Sequence, residues 1–297
     1  MGRDNRRLLG WIFVVLGIRH NAGSQSVQRH LGMAGRRVLN SASKLSSGDS
    51  MNSAADNAAG MAVKTNFRAS LASRRQALRN TNEASNMLQT AETGIERLSE
   101  LFTRARELSV HAANDSLGKR ERIQLDVEFQ DILDRVDTVF QSTEYNGRKL
   151  LDDGAGSYNP PPLTFQVGIG TSSGDKISLT MKFGLIKSRF DSGAAMGTLD
   201  LRRQTSAQLN IELFDRQMVE LDRNRTRLGS TLNRLTASAD QVSEAVSNES
   251  ASLSLIADTD MGAVSSDLAR QQVLQNAGVA LLGQANSNPQ AALRLLG

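Results

Sequence analysis

FDRQMVELDRNRTRLGSTLNRLTASADQVSEAVSNESASLSLI, residues 214–256, decides how this chain folds. Phe214, Met218, Leu221, Arg225, Leu228, Leu232, Leu235, Ala239, Val242, Val246, Glu249, Leu253 and Ile256 fall at alternating steps of four and three. Apolar side chains at that spacing form the a/d line of a heptad, one stripe of an α-helix turned toward a partner helix. At 1.5 Å per residue such a helix is about 65 Å long. Arg225 and Glu249 are the only charges on the line. They read either as polar positions that fix the register of the seam or as local breaks in it.

Two more seams lie toward the N-terminus. Ala84, Leu88, Ala91, Ile95, Leu98, Phe102 and Ala105 keep the same spacing and stop at the turn-like cluster Asn114-Asp115-Ser116-Leu117-Gly118. Leu125, Phe129, Ile132, Val136 and Val139 follow, closed by Tyr145-Asn146-Gly147, whose glycine can take a left-handed conformation. Residues 152–200 differ. Pro160-Pro161-Pro162 cannot lie inside a helix. Phe165, Val167 and Ile169, then Ile177, Leu179, Met181 and Phe183, alternate with polar or small residues around Gly170–Asp175, which reads as a β-hairpin.

Both ends are amphipathic. Val27, Leu31, Val38 and Leu45 repeat at helical spacing, with Ala34 and Ala42 between them, until Ser46-Ser47-Gly48. Asp56–Gly60 is a second weak point. Past Asp258 and Asp260, the residues Val264, Leu268, Leu274, Ala277 and Leu281 begin a helix that runs almost to Gly297. Each stripe must be buried, against the other end of the chain or against further copies. The expected fold is mainly α: a long antiparallel helical bundle or coiled coil with a small β-hairpin insertion.

Composition supports thin helix-on-helix seams. Only 4% of the 297 residues are aromatic, and four prolines permit long helices. The absence of cysteine removes disulfides, thiolate metal sites and cysteine nucleophiles. The net charge of +4 is a weak excess; the dense basic clusters are Arg3/Arg6/Arg7, Arg36/Arg37, Arg74/Arg75 and Lys119/Arg120/Arg122, and acidic residues interleave with basic ones in most other places. That pattern speaks against nucleic-acid binding. Neither H-E-x-x-H nor a P-loop is present. His20, His30 and His111 are scattered, and His111 near a helix end reads as a surface residue. Gly168-Ile169-Gly170 reads as a strand end and Asp152-Asp153 as a turn. The Asn-x-Ser/Thr triplets at Asn114, Asn224 and Asn248 are short enough to arise by chance. The expected catalytic, cofactor and metal sites are none.

Several motifs in one order resemble bacterial flagellins. They are Gly17–Asn21, Lys44-Leu45-Ser46-Ser47-Gly48, Asp56-Asn57-Ala58-Ala59-Gly60-Met61-Ala62, Leu88–Glu92, Arg104-Ala105-Arg106-Glu107-Leu108-Ser109-Val110, Thr143–Gly147, Leu150-Leu151 and Gln275–Asn286. Phe165–Gly168 is similar to the family's hairpin region. The asparagine-rich opening is weakened, Gly32, Gly35 and Gly283 interrupt expected helices, and the large outer domains are missing. The resemblance implies a secreted structural subunit that self-assembles into the extracellular filament of the flagellum. Residues 17–58 and 257–297 would pair as an inner-tube domain, and residues 59–256 would form a middle domain with a hairpin region at 158–200. The filament-assembly stripes would be Val27, Leu31, Val38, Leu45, Val264, Leu268, Leu274 and Leu281. Implied partners are further copies, an export chaperone, cap and hook-junction proteins, and an innate immune receptor of animal hosts reading Arg104, Leu108 and Glu128; an ordinary contact between subunits is the plainer reading of those three. Nucleic acid and stable membrane insertion are not implied. Alternatives are a hook–filament junction protein and a membrane-anchored helical surface protein.

Residues 1–16 match nothing in the family. Arg3, Arg6 and Arg7 precede the apolar run Leu8–Leu16, which has the layout of a signal peptide without a clean cleavage site. Leu16 stands where the family has an initiating Met. Residues 1–15 are therefore expected to precede the true start, with a signal peptide as the competing reading.

Overall fold

The computed structural model describes residues 21–152, 160–183 and 199–296, with side chains described up to residue 287. The N-terminal extension of residues 1–16 and parts of the expected hairpin region lie outside the described residues. The fold is mainly helical: α1 (Ala22–Ser47), α2 (Ala58–Ala112), α3 (Lys119–Ser142), α4 (Gln204–Ala257) and α5 (Met261–Leu296). Two small antiparallel hairpins sit between α3 and α4: β1 (Glu144–Tyr145) with β2 (Arg148–Lys149), and β3 (Leu163–Gln166) with β4 (Lys176–Leu179). The chain forms two compact units. One holds the described residues up to Arg68 and those from Ser250; the other is Ala69–Glu249.

In the unit of the ends, α1 and α5 pair antiparallel. Asn21 donates from Nδ2 to the Ala285 carbonyl at 2.8 Å, and Ser41 donates to Asp267 at 3.4 Å. Asn21 also caps α1, its Oδ1 accepting from the Ser24 amide. The side of α1 turned to α5 runs Ser24, Val27, Leu31, Ala34, Val38, Ser41 and Leu45, again at heptad spacing. On α5 the covered line is Val264, Leu268, Gln271, Gln275, Gly278, Leu282 and Ala285. At Gly278 a Cβ would come within 3.3 Å of Leu31 Cδ1, so the glycine lets the helices approach. Gly48, with φ of +71°, ends α1 in the left-handed conformation and donates its amide to Lys44.

In the middle unit the heptad line Ala84–Ala105 on α2 is wholly buried, and Ser109 and Ala112 extend it, with Leu108 buried beside them. Phe129, Ile132, Val136 and Phe140 of α3 pack on it, as do Phe214, Leu221, Leu228 and Leu235 of α4. The ring of Phe214 lies 5.7 Å from Phe102 and 5.9 Å from Phe129, joining all three helices at one point. Arg122 closes the α2–α3 turn by donating to the Ala112 and Asn114 carbonyls.

The charged positions on the α4 line resolve differently. Arg225 is exposed, and Asn224, one residue earlier, is fully buried in its place. Its amide accepts from the Lys182 N–H at 3.2 Å and donates to the Lys182 carbonyl at 2.7 Å, tying α4 to the chain after β4. Glu249 is half-buried and ion-paired, accepting from Arg74 at 2.9 Å and Ser70 at 2.7 Å. The first is a local shift of the seam; the second is a polar position with partners on α2.

The second hairpin keeps the expected alternation, with Leu163, Val167, Ile177, Leu179, Met181 and Phe183 on the core, while Ile169 is exposed. Gly168-Ile169-Gly170 belongs to its loop. A Cβ at Gly168 would lie 2.0 Å from the Asp175 carboxylate, so only glycine fits there. The Ser172 hydroxyl donates to that carboxylate at 2.6 Å and holds its pKa below the usual range. The Tyr145-Asn146-Gly147 segment is the turn of the first hairpin rather than the end of α3, which stops at Ser142. Asn146 and Gly147 both take positive φ, 51° and 75°, the pattern of a two-residue Asn-Gly hairpin turn.

Candidate assembly surface

The residues expected to drive assembly do not all lie on one surface. Val27, Leu31, Val38 and Leu45 of α1 and Val264 and Leu268 of α5 are half-buried along the line where the two helices meet. Leu274 and Leu281 are 52% and 58% exposed and belong to a second line of α5, turned aside from α1. Val273, at 65% exposure, lies beside them, as does the exposed Ala277. The α1/α5 line therefore consumes only part of the apolar surface of α5.

Asp49 joins several elements of this unit. Its backbone bridges Asp258 in antiparallel fashion, and on either side the Ser50 amide donates to Ala257 and the Thr259 amide to Gly48. Its carboxylate meets Lys64 of α2 at 2.8 Å and Arg68 at 3.3 Å. Lys64 is 3% exposed and also donates to the Met51 carbonyl. A buried ammonium needs such partners. The Lys64 hydrogen bond, then the charges of Lys64 and Arg68, hold the Asp49 pKa below its ordinary value. Asp56 caps the preceding turn through the Ser53 and Asn52 amides, which lower its pKa too. The heptad pattern carries no signal for the Asp49–Lys64 link, because its side chains come from two elements 15 residues apart in a stretch without periodicity.

In the middle unit Arg104 lies on the surface, donating to Glu128 of α3 at 2.6 Å and to Glu107 at 3.0 Å. These carboxylates, Glu128 foremost, raise the Arg104 pKa further. Leu108 is 3% exposed and packs into the core behind them. Four residues along a helix make Arg104 and Leu108 neighbours, but they diverge at the edge of the seam. The four-and-three line continues from Ala105 to Ser109 and Ala112, so the spacing did not mark Leu108, which is buried beside that line. His111 is exposed at the end of α2. Among the described residues no group of three or more His, Cys, Asp or Glu is arranged to hold a metal ion, and no helix is long and apolar enough to cross a membrane.

Comparison with known proteins identifies the family. The bacterial flagellin N-terminal helical region matches residues 18–155, and the bacterial flagellin C-terminal helical region matches residues 211–296. A flagellin of Halalkalibacterium halodurans is 32% identical over 282 residues, covering 94% of this chain and 99% of that one. The flagellar filament 30.7 kDa core protein of Treponema maltophilum is 30% identical over 285 residues, with the same coverage of both chains. A solved structure from Vibrio parahaemolyticus, assigned to a flagellar hook-associated protein, is similar in fold, with a TM-score of 0.54 at 16% identity over 68% of this chain and 99% of that one. With two flagellin regions matched in order and relatives aligned almost end to end, the chain belongs to the bacterial flagellins, structural and non-enzymatic subunits that polymerise into the flagellar filament.

Proposed function

We propose that the α1/α5 pair is the inner, polymer-forming part of the subunit and that it completes its packing only against other copies. The observation that supports this reading is the uncovered line of α5, where Leu274 and Leu281 stay more than half exposed. Exposed large apolar side chains gathered on one face mark a surface that meets a partner. Residues 17–58 and 257–297 then form the inner tube, and residues 59–256 the shell around it. Replacing Leu274 and Leu281 together with Gln tests this. Both lie away from α1, so the free subunit keeps its fold while polymerisation is lost. Filaments that form normally from the double variant count against it.

The finer partners belong to the same reading. Export places the chain with a chaperone before assembly, and the cap and hook-junction proteins bound the growing filament. The receptor contact rests on Arg104 and Glu128 as its exposed groups, with Leu108 supporting them from inside. Arg104→Ala alone is the informative variant, because Leu108→Ala also opens a cavity costing about 2–5 kcal/mol. Receptor signalling unchanged by Arg104→Ala removes this part of the proposal.

A further inference from the structure

The outer faces of α3 and α4 carry opposite charges in matching order. On α3, Ile123 and Val127 are exposed at 41% and 60%, and Asp131 and Asp134 continue the same face toward the C-terminus. This face is opposite the one that Phe129, Ile132 and Val136 bury. On α4, Leu209, Arg216, Arg223, Arg227 and Arg234 fall at steps of seven, seven, four and seven, a single line along the helix. Leu209 is 64% exposed, and Val219 beside the line is 49% exposed. Both faces thus read apolar first, charged afterwards, along the chain.

The charges that matter are unspent within one copy. Arg216 is held by Glu212 and Arg223 by Glu220, both on α4 itself. Among the described residues Arg227, Arg234, Asp131 and Asp134 make no ion pair, and all four are exposed. Both faces also point away from the core at Phe102, Phe129 and Phe214, so they cannot meet inside a subunit. A contact between them joins different patches of two copies. Such a heterologous contact leaves a free patch at each end and continues indefinitely.

Direction agrees as well. The short turn after α2 makes α3 antiparallel to it, with Arg104 meeting Glu128. Arg106 meets Asp215 and Arg74 meets Glu249, so α4 is antiparallel to α2 too. Hence α3 and α4 run the same way. In a helical polymer every copy keeps its polarity along the axis, so α3 of one copy runs parallel to α4 of the next. With Ile123 level with Val219, Asp131 is level with Arg227 and Asp134 lies between Arg227 and Arg234, so the carboxylates face the guanidinium groups.

We infer that neighbouring copies dock the Asp131/Asp134 face of α3 on the Arg227/Arg234 face of α4. The inference rests on the chain being a filament subunit and names the chemistry of one contact between copies. Charge complementarity of this kind selects partner and register, and like charges brought together there are strongly repelled.

The test uses the full chain and its charge-reversed variants, assembled from monomers and followed by sedimentation and electron microscopy. The unsubstituted chain polymerises, and added salt raises the concentration it needs. The Arg227→Glu/Arg234→Glu variant requires at least about tenfold more protein, as does Asp131→Arg/Asp134→Arg. Their circular dichroism and thermal midpoints as monomers stay those of the unsubstituted chain, since all four side chains are exposed. The quadruple variant, with both faces reversed, polymerises again. Unchanged assembly of either double variant, or no recovery in the quadruple variant, overturns the inference. Failure of the unsubstituted chain to polymerise strikes the filament reading itself and is told apart by that control.

Discussion

Gln217 is the least comfortable side chain of the middle unit. It is 3% exposed, and neither its amide nitrogen nor its amide oxygen has a hydrogen-bond partner. A buried polar group left unmet costs about 1–3 kcal/mol. Gln217→Met keeps the length of the side chain and is expected to stabilise the monomer by about 1 kcal/mol in urea unfolding; a loss of stability would show that the amide is satisfied after all. Glycines give a paired expectation. At Gly94, inside α2, a Cβ would stand 2.8 Å from both Thr143 Cγ2 and Thr143 Oγ1. Gly94→Ala therefore destabilises by about 1–3 kcal/mol despite the better helix propensity of alanine. At Gly32 of α1 nothing lies within 4 Å, and Gly32→Ala is expected to add about 1 kcal/mol of helix stability. Thermal melts of the two variants should move in opposite directions.

At the scale of elements, the link through Asp49 predicts how the unit of the ends responds to acid. Its folded pKa lies below the ordinary carboxylate value, so its contribution is fully present above about pH 4. It is lost as pH falls through the lowered value, when the carboxyl group takes up a proton and Lys64 is left buried with the Met51 carbonyl alone. Asp49→Asn should lose stability at neutral pH and show a weaker acid dependence, measured by hydrogen exchange of amides in α1 and α5. An identical acid dependence in the variant would place the titrating group elsewhere. The long helices were legible because apolar side chains announce their period, and every residue from Ala84 to Ala105 on the expected line is buried. The α4 line was misread at Arg225 for a physical reason. Phe214, Leu221, Leu228, Leu235 and Val242 stay buried at steps of seven, but the second covered row is Asn210, Gln217, Asn224 and Thr231, polar residues one position before Met218, Arg225 and Leu232 that carry no apolar mark. In α5 the covered line goes on from Val264 and Leu268 through Gln271, Gln275 and Gly278, which carry no apolar mark, whereas the expected residues from Leu274 onward lie on the other face. The first hairpin was announced only by Asn146-Gly147, since its strands are two residues long. Of the three residues implied as a receptor surface, spacing identified a neighbourhood but not which side of α2 faced solvent.

For the whole molecule, the division into two units predicts unequal resistance to unfolding. The middle unit has an aromatic junction of Phe102, Phe129 and Phe214, whereas in α1 only Ala34 is a buried apolar residue. In the free subunit, amides of α1 and α5 should exchange far faster than those of the Ala84–Ala105 stretch, and polymerisation should slow them. Deleting residues 257–297 should leave a folded middle unit that forms no filaments; filaments from that truncation would exclude a role for α5 in growth.

The seam between α1 and α5 has one more consequence. Ser24, Ser41, Gln271, Gln275 and Gly278 stand at positions where a self-sufficient coiled coil would place leucine or isoleucine. Little binding strength therefore resides in any single pair of ends. In the proposed assembly, what holds them is shared among neighbours, as in assemblies whose protomers have no stability apart from their concentration. Order at the ends is then a property of the population: it rises with crowding at the growing tip, fades on dilution, and lets a misplaced subunit depart before its neighbours fix it in place.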